Sequence, residues 1–336
     1  MLYSRRPLLI AAMVALVLTA CSKEENKSAD PEKNPQQIEE KHQFPLTGIE
    51  TDVTPEGRAV AVMINNHPAA RPQNGLSEAD IVYEVLAEGE ITRLLAIFQS
   101  EQPKNIGPVR SARDYFIDLA KGYDSLYIAH GYSPDAKKIL SSGDIDHLNG
   151  IEYDGSLFKR ASFRKAPHNS YISFDSIKEG AANLGYDMKQ PPKGLTFLGK
   201  EDSAKEGNPT QYMKISYSRS TQFTAEYMYN EEMKKYERYS DGIQTAEFDS
   251  EDPVLLSNVF VIEAKHSVID DAGRRTIDLT SGGRAFLLQK GVSYEVDWKN
   301  EDGQLIPYVD NKPVGLVPGK TWINIVPEMK IVSFEQ

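Results

Sequence analysis

The sequence predicts an α+β protein: an N-terminal mixed α/β domain followed by a mainly antiparallel β domain. Two textures carry that prediction. Between residues 59 and 185, short apolar runs alternate with amphipathic stretches, as in chains where strands and helices pack in layers. Beyond residue 211, β-prone runs follow one another across Asp-Ala-Gly, Gly-Gly, Asp-Gly and Pro-Gly turns, the signature of hairpins. Residues 187–211, rich in proline, glycine and charge, separate the two. The reading divides the chain into a signal peptide (1–20), a flexible tether (21–54), an N-terminal domain (55–190), a linker (191–211) and a C-terminal domain (212–336).

Ala59 to Ile64 is a continuous apolar run, read as a buried strand that stops at Asn65-Asn66-His67-Pro68. Asn65 and Asn66 there suit either a site or a turn held by local side-chain bonds. Ile81 to Ala87 and Ile91 to Phe98 read as a hairpin joined by Glu88-Gly89-Glu90. Strand alternation puts Glu84, Leu86 and Glu88 on one face, with Arg93 joining them from the partner strand. A cross-strand ion pair is the simpler reading of that group, and a carboxylate pair for acid-base work the sharper one.

Ser111 followed by Asp114 is a carboxylate variant of the capping box, so a helix is expected from Ser111 through Lys121. Arg113 then falls in its first turn and Arg110 just outside. Helix N-termini carry partial positive charge, so two arginines there ask for an anion. That anion is either internal (Glu84, Glu88 or Asp80) or a ligand. Ser125 to Ala129 reads as a strand ending at His130-Gly131-Tyr132, and Ser133-Pro134 opens a helix to Leu140. Asp144-Ile145-Asp146-His147 lacks the spacing of a calcium loop and reads as a solvated turn. Arg164 to Asn169 is a basic loop, followed by a helix capped near Ser173 and ended by Gly185. In the second half, strands are expected at Met213–Tyr217, Phe223–Tyr229, Val259–Ile262, Thr276–Leu279, Ala285–Leu288, Val292–Trp298 and Trp322–Val326. Tyrosines on these runs pair across a sheet more readily than they build a carbohydrate platform. His266 and its charged neighbours read as a hairpin end.

The 336 residues are 40% hydrophobic and 26% charged, enough for two domains with cores of their own. Arg5 and Arg6 precede an apolar run from Leu8 to Leu18 and small residues at Thr19-Ala20, the layout of a secretory signal. The run is too short for an ordinary membrane span. Leu18-Thr19-Ala20-Cys21 resembles the lipobox of bacterial lipoproteins, which implies cleavage before Cys21 and diacylglyceryl modification of its thiol. Cys21 is the chain's one cysteine, so no internal disulfide or thiolate cluster is available to the body. Cleavage removes Arg5 and Arg6, leaving 36 basic against 49 acidic residues and changing the net charge from −11 to −13. Nucleic acid is therefore a poor bulk partner, and the membrane is expected to be reached through lipid rather than charge.

No Gly-x-Ser-x-Gly elbow, His-Glu-x-x-His pair or Ser-x-x-Lys set is present. Gly319-Lys320-Thr321 lacks the first glycine of a phosphate-binding loop and reads as a turn. Neither a metal nor a cofactor is expected. Asn65-Asn66-His67-Pro68, Arg71-Pro72-Gln73, Gly107 through Arg113, Ala166-Pro167-His168-Asn169, Ser281-Gly282-Gly283 and Pro318 through Trp322 resemble the YerB-type lipoprotein family over nearly the whole mature chain. The resemblance implies separate N- and C-terminal domains and a membrane anchor in a Gram-positive bacterium. It supplies no catalytic residue.

Three functions are weighed. The first is a lipid-anchored envelope protein, on the extracytoplasmic face of the cell membrane, that binds an anionic ligand or wall polymer. Arg110, Ser111, Arg113, Arg71, Arg93, Asn65 and Asn66 would form its site, since arginine suits phosphate and carboxylate. The second is a hydrolase of a phosphodiester or wall glycan, with His130 or His168 as acid or base and Glu84 or Glu88 as partner. The third is a protein-interaction module that docks through the β half.

Overall fold

The structure, a computed structural model, describes residues 41–199, 202 and 206–335. The signal peptide, Cys21 and the tether through residue 40 lie outside the described residues. The ordered body starts earlier than the polar composition suggested. His42–Gln43 pairs antiparallel with Glu50–Thr51, and Leu46 and Thr47 in the intervening turn are fully buried. The Thr47 carbonyl accepts from the Gly319 amide, so residues 41–54 dock on the body instead of continuing the tether.

In chain order the first segment contains β1 (Val60–Asn65), β2 (Ile81–Glu88), β3 (Ile91–Phe98), α1 (Asp114–Lys121), β4 (Leu126–Ala129), α2 (Pro134–Ser142), β5 (His147–Asn149), β6 (Phe158–Arg160), β7 (Ser170–Ile172) and α3 (Phe174–Leu184). The caps of α2 and α3 follow the sequence. Ser133 accepts from the Ala136 amide with Pro134 in the first turn, while Ser173 accepts from Ser176 and Gly185 ends α3 in the left-handed conformation.

The start of α1 departs from expectation. The helix begins at Asp114, and its N-cap is Arg113 in an extended conformation without a side-chain capping bond. Ser111 is no cap, because residues 107–112 are held extended by tertiary partners. The Val109 amide donates to Ser170 O (2.7 Å), that of Arg110 to Met63 O (2.8 Å) and that of Ala112 to Gly131 O (2.9 Å). Backbone groups satisfied in this way have no reason to enter a helix.

The second segment contains β8 (Tyr212–Ser216), β9 (Thr224–Asn230), β10 (Lys235–Ser240), β11 (Asn258–Glu263), β12 (His266–Val268), β13 (Arg275–Ile277), β14 (Gly283–Gln289), β15 (Val292–Glu301), β16 (Gln304–Val309), β17 (Thr321–Val326) and β18 (Val332–Glu335). Most ladders here are antiparallel, but β17 is not. It lies between β11 and β2 and runs parallel to both, with Trp322 opposite Val259 on one side and Val82 on the other. One sheet therefore crosses both segments, in the order β16-β15-β14-β11-β17-β2-β3-β1-β4-β5. A second sheet is built from the ladder β10-β9-β8-β18.

Both faces of the large sheet are covered. Ala61, Met63 and Tyr83 pack with Phe116 of α1 and Leu140 of α2, while Val60, Val62 and Val82 pack with Ile177 of α3 and with Met213 and Tyr227 of the second sheet. Two-sided burial explains the unbroken apolar run of β1. The segment 191–211 joins the halves by bonding to each: Leu195 N donates to Pro45 O, and Leu198 N to Leu316 O. Asn208–Pro209 pairs with β15.

Candidate functional site

Three loops converge beyond the end of β1: residues 65–74, residues 106–113 leading into α1, and residues 164–170 leading into β7. The Asn65 amide donates to Pro108 O (2.9 Å) and the Asn74 amide to Gly107 O (2.8 Å). Arg164 clamps the first loop by donating to the carbonyls of Ala70 and Pro72. Each loop carries a cis peptide bond, at Arg71–Pro72, Gly107–Pro108 and Ala166–Pro167. Gly107 has a φ of +150°, and a Cβ there would lie 2.8 Å from Ser170 O, so this crossing admits only glycine.

The arginines of this region have different fates. Arg93 donates to both carboxylate oxygens of Glu88 (2.7 and 2.9 Å) and to Ser111 O (2.6 Å). Arg113 pairs with the same Glu88 and donates to Ala112 O (2.6 Å). Both are buried. The expected cross-strand pair of Glu88 with Arg93 is therefore present, while Glu84 takes no part in it. A bulge between Leu86 and Glu88 separates the two carboxylates.

Glu84 lies in the core between the segments. Its Oε2 accepts from Arg238 (2.8 Å) and Trp322 Nε1 (3.1 Å), and its Oε1 from Asn66 (3.1 Å) and Thr92 (2.9 Å). Among the described residues neither Glu84 nor Glu88 is hydrogen-bonded to a histidine; their partners are Arg238, Trp322, Asn66 and Thr92 for Glu84 and Arg93 and Arg113 for Glu88. Asn66 is likewise internal, holding Glu84, Gln73 and Arg71. Ser111 donates to His130 O (3.1 Å) and faces no site.

Arg110 is half-buried, and among the described residues its guanidinium has neither an ion pair nor a hydrogen bond. Burial first, and then the charge of Arg93, pushes its pKa down to about 10. Burial first lowers the pKa values of His67, His168 and His130, and the same guanidinium adds to each, so the three rings share its field. His67 and His168 stack, with ring centroids 4.6 Å apart. Their tautomers follow from fixed partners. The Oδ1 of Asn65 accepts from the His67 amide (3.0 Å), which turns the Asn65 amide nitrogen to His168 Nδ1 (2.9 Å). His67 Nδ1 accepts from the Ala69 amide (3.1 Å). Both rings then carry their proton on Nε2, which has no partner among the described residues.

His130 stands deeper, bonded through Nδ1 to Ser170 (2.7 Å) and through Nε2 to Arg160 (2.9 Å), which Asp154 holds in turn. Arg71 sits at the other end of its loop, bound to Asn66 and to Gln222 O. The structure thus gathers Arg110, His168 and Asn65 of the expected site residues. It removes Arg93, Arg113, Ser111 and Asn66 to internal roles, and it adds His67. The signal for His67 was its place in Asn65-Asn66-His67-Pro68, on the loop that also carries Arg71. Among the described residues no group of three or more His, Cys, Asp or Glu is placed to hold a metal.

Comparison with known proteins gives a consistent result. Residues 46–187 match the DUF3048 N-terminal domain and residues 213–323 the DUF3048 C-terminal domain, both described as protein of unknown function. The chain is 50% identical over 295 residues, 87% of its own length and 88% of the relative's, to "Putative lipoprotein YerB" of Bacillus subtilis (strain 168). It also matches a crystal structure of YerB protein from Bacillus subtilis with a TM-score of 0.83 and 48% identity, covering 88% of this chain and 100% of that one.

Proposed function

The chain belongs to the DUF3048 family, and on that premise we propose that it is a lipid-anchored protein of the bacterial cell envelope whose body binds a phosphate- or carboxylate-bearing anion. Arg110 is the charge of the site, and the Nε2–H groups of His67 and His168 are its directional donors. One observation carries the reading: a half-buried guanidinium with no carboxylate at ion-pair distance among the described residues, beside two oriented imidazoles, which is the complement of an oxyanion. The leader, the Leu18-Thr19-Ala20-Cys21 motif and the name of the Bacillus relative support the anchor and the extracytoplasmic face. Anionic wall polymers are the ligand source such an address brings within reach. Hydrolysis has less support, because the glutamates it required are committed to Arg238 and to Arg93 and Arg113.

The test is a calorimetric titration of the protein with sodium sulfate and with inorganic phosphate. Wild type should bind both, and Arg110→Ala neither. Equal binding by the variant would place the anion elsewhere. For the anchor, Cys21→Ala should leave the chain unlabelled by palmitate in growing cells, and a labelled variant would overturn that half of the reading.

A further inference from the structure

A cavity of about 500 Å³ opens where the two family segments meet. Pro68, Arg71 and Pro72 line it from the first segment, and Ile243, Ala246 and Phe248 from the second. Small-molecule sites have this size and place: they sit at domain seams, are walled mainly by apolar groups, and hold a few polar ones that fix orientation. Ile243 is 71% exposed and Phe248 is 38% exposed, the latter stacked on Phe163 at 4.7 Å. Apolar side chains of that size on a concave wall gain by being covered.

Arg71 supplies the polar anchor. It donates from Nε to Asn66 Oδ1 (3.1 Å), from Nη2 to Asn66 O (2.8 Å) and from Nη1 to Gln222 O (3.0 Å). All three acceptors are neutral, and a guanidinium has five N–H groups, so one on each terminal nitrogen is left over. No carboxylate reaches ion-pair distance of Arg71 among the described residues. Asp241, which also lines the cavity, accepts from the Thr221 hydroxyl (2.6 Å). Burial, followed by repulsion from Arg238, pushes Arg71 down to about 10 against the opposing pull of Glu84 and Asp241. The rim acids Asp241 and Glu251 oppose a multiply charged anion, whereas a single carboxylate matches the planar fork of the guanidinium.

We propose that this cavity binds a small monocarboxylic acid with an apolar body. The carboxylate meets Arg71, and the apolar group covers Ile243 and Phe248. The site is separate from the one at Arg110, and neither requires the other.

Calorimetric titration of the full chain with N-acetyl-L-phenylalanine and with its amide tests this. The acid should bind at least about tenfold more tightly than the amide, and Ile243→Asp and Arg71→Met should each weaken the acid by about tenfold or more. Ile243 is exposed, so its variant keeps the fold and serves as the control for Arg71→Met. In Arg110→Ala, which removes the other anion site, the acid binding that is sensitive to Ile243→Asp should remain. The proposal is overturned if acid and amide bind alike, if the acid fails to bind up to its solubility limit, or if its binding is lost in Arg110→Ala and kept in Ile243→Asp.

Discussion

Glu88 takes two arginines and Glu84 takes a third, while Arg110, on the same stretch as Arg113, pairs with no carboxylate among the described residues. In the first region each guanidinium left water in contact with a carboxylate, Arg93 and Arg113 sharing Glu88. In the second it was drawn out of water by loop packing alone, next to His67 and His168. A buried ion pair is neutral as a unit and is broken only at a large energetic penalty. A lone half-buried cation is a standing demand for an anion. Charge near a helix start is therefore no guide to function until its partners are known.

The comparison breaks most visibly at Glu84. Glu84→Gln leaves the charge of Arg238 unpaired in the core and should destabilise the protein by about 3–5 kcal/mol in urea unfolding. Glu84→Leu combined with Arg238→Met should recover most of that loss, since no charge then stays buried. A single variant as stable as wild type would mean that the pair does not hold the segments together.

A smaller effect is expected at Glu88, which is part-exposed. Glu88→Gln keeps the shape but deprives Arg93 and Arg113 of their counterion, at about 1–3 kcal/mol by the same measurement. If the loss matched that of a surface substitution, both arginines would have to find water on their own.

The histidines sharpen the other side of the comparison. Burial and neighbouring cations lower the pKa values of His67 and His168 below the ordinary 6.5, so the unfolded chain binds protons more readily than the folded one. The stability that this difference contributes is complete above about 6.5 and is lost as pH falls through the folded values. Bound sulfate favours the protonated rings and reverses the balance. Sulfate keeps its charge across this range, so its affinity should rise several-fold between about pH 7.5 and 5.5. A flat profile in wild type, measured by calorimetry, would exclude the imidazoles from the site.

The smallest effect on stability is expected at Arg110. Arg110→Ala removes a cation without stranding a carboxylate and should change the unfolding free energy by no more than about 0.5 kcal/mol, even though sulfate binding is lost. A loss as large as that at Glu84 would show that Arg110 is structural.

Much of the local architecture was legible. Ser133-Pro134 and Ser173 through Gly185 specified α2 and α3 through caps that act within one turn. The apolar run at Ala59–Ile64 specified β1, and the alternating runs after residue 211 specified most of the β half. The Ser111 box failed because its backbone found partners in Met63, Ser170 and Gly131, far away in the chain. The candidate site was legible as loops, since the stretches around Asn65, Arg110 and His168 are those that converge. Which arginine was free among them was not legible.

What the sequence determined by itself are the quantities set by covalent neighbours: the leader and Cys21, the acidic balance, the helix caps, the periodicities and the turn glycines. What only the tertiary structure decided are the pairings between distant residues. β17 could have closed an antiparallel β domain, yet it lies parallel between β11 and β2 and merges the two halves into one sheet. Arg238 reaches Glu84 across more than one hundred and fifty residues, separated in chain position by 154. A carboxylate's choice of arginine depends on which charges leave water together, and that is settled by packing. Among the described residues, Arg110, like Arg71, is a cation that packing left without a carboxylate at ion-pair distance.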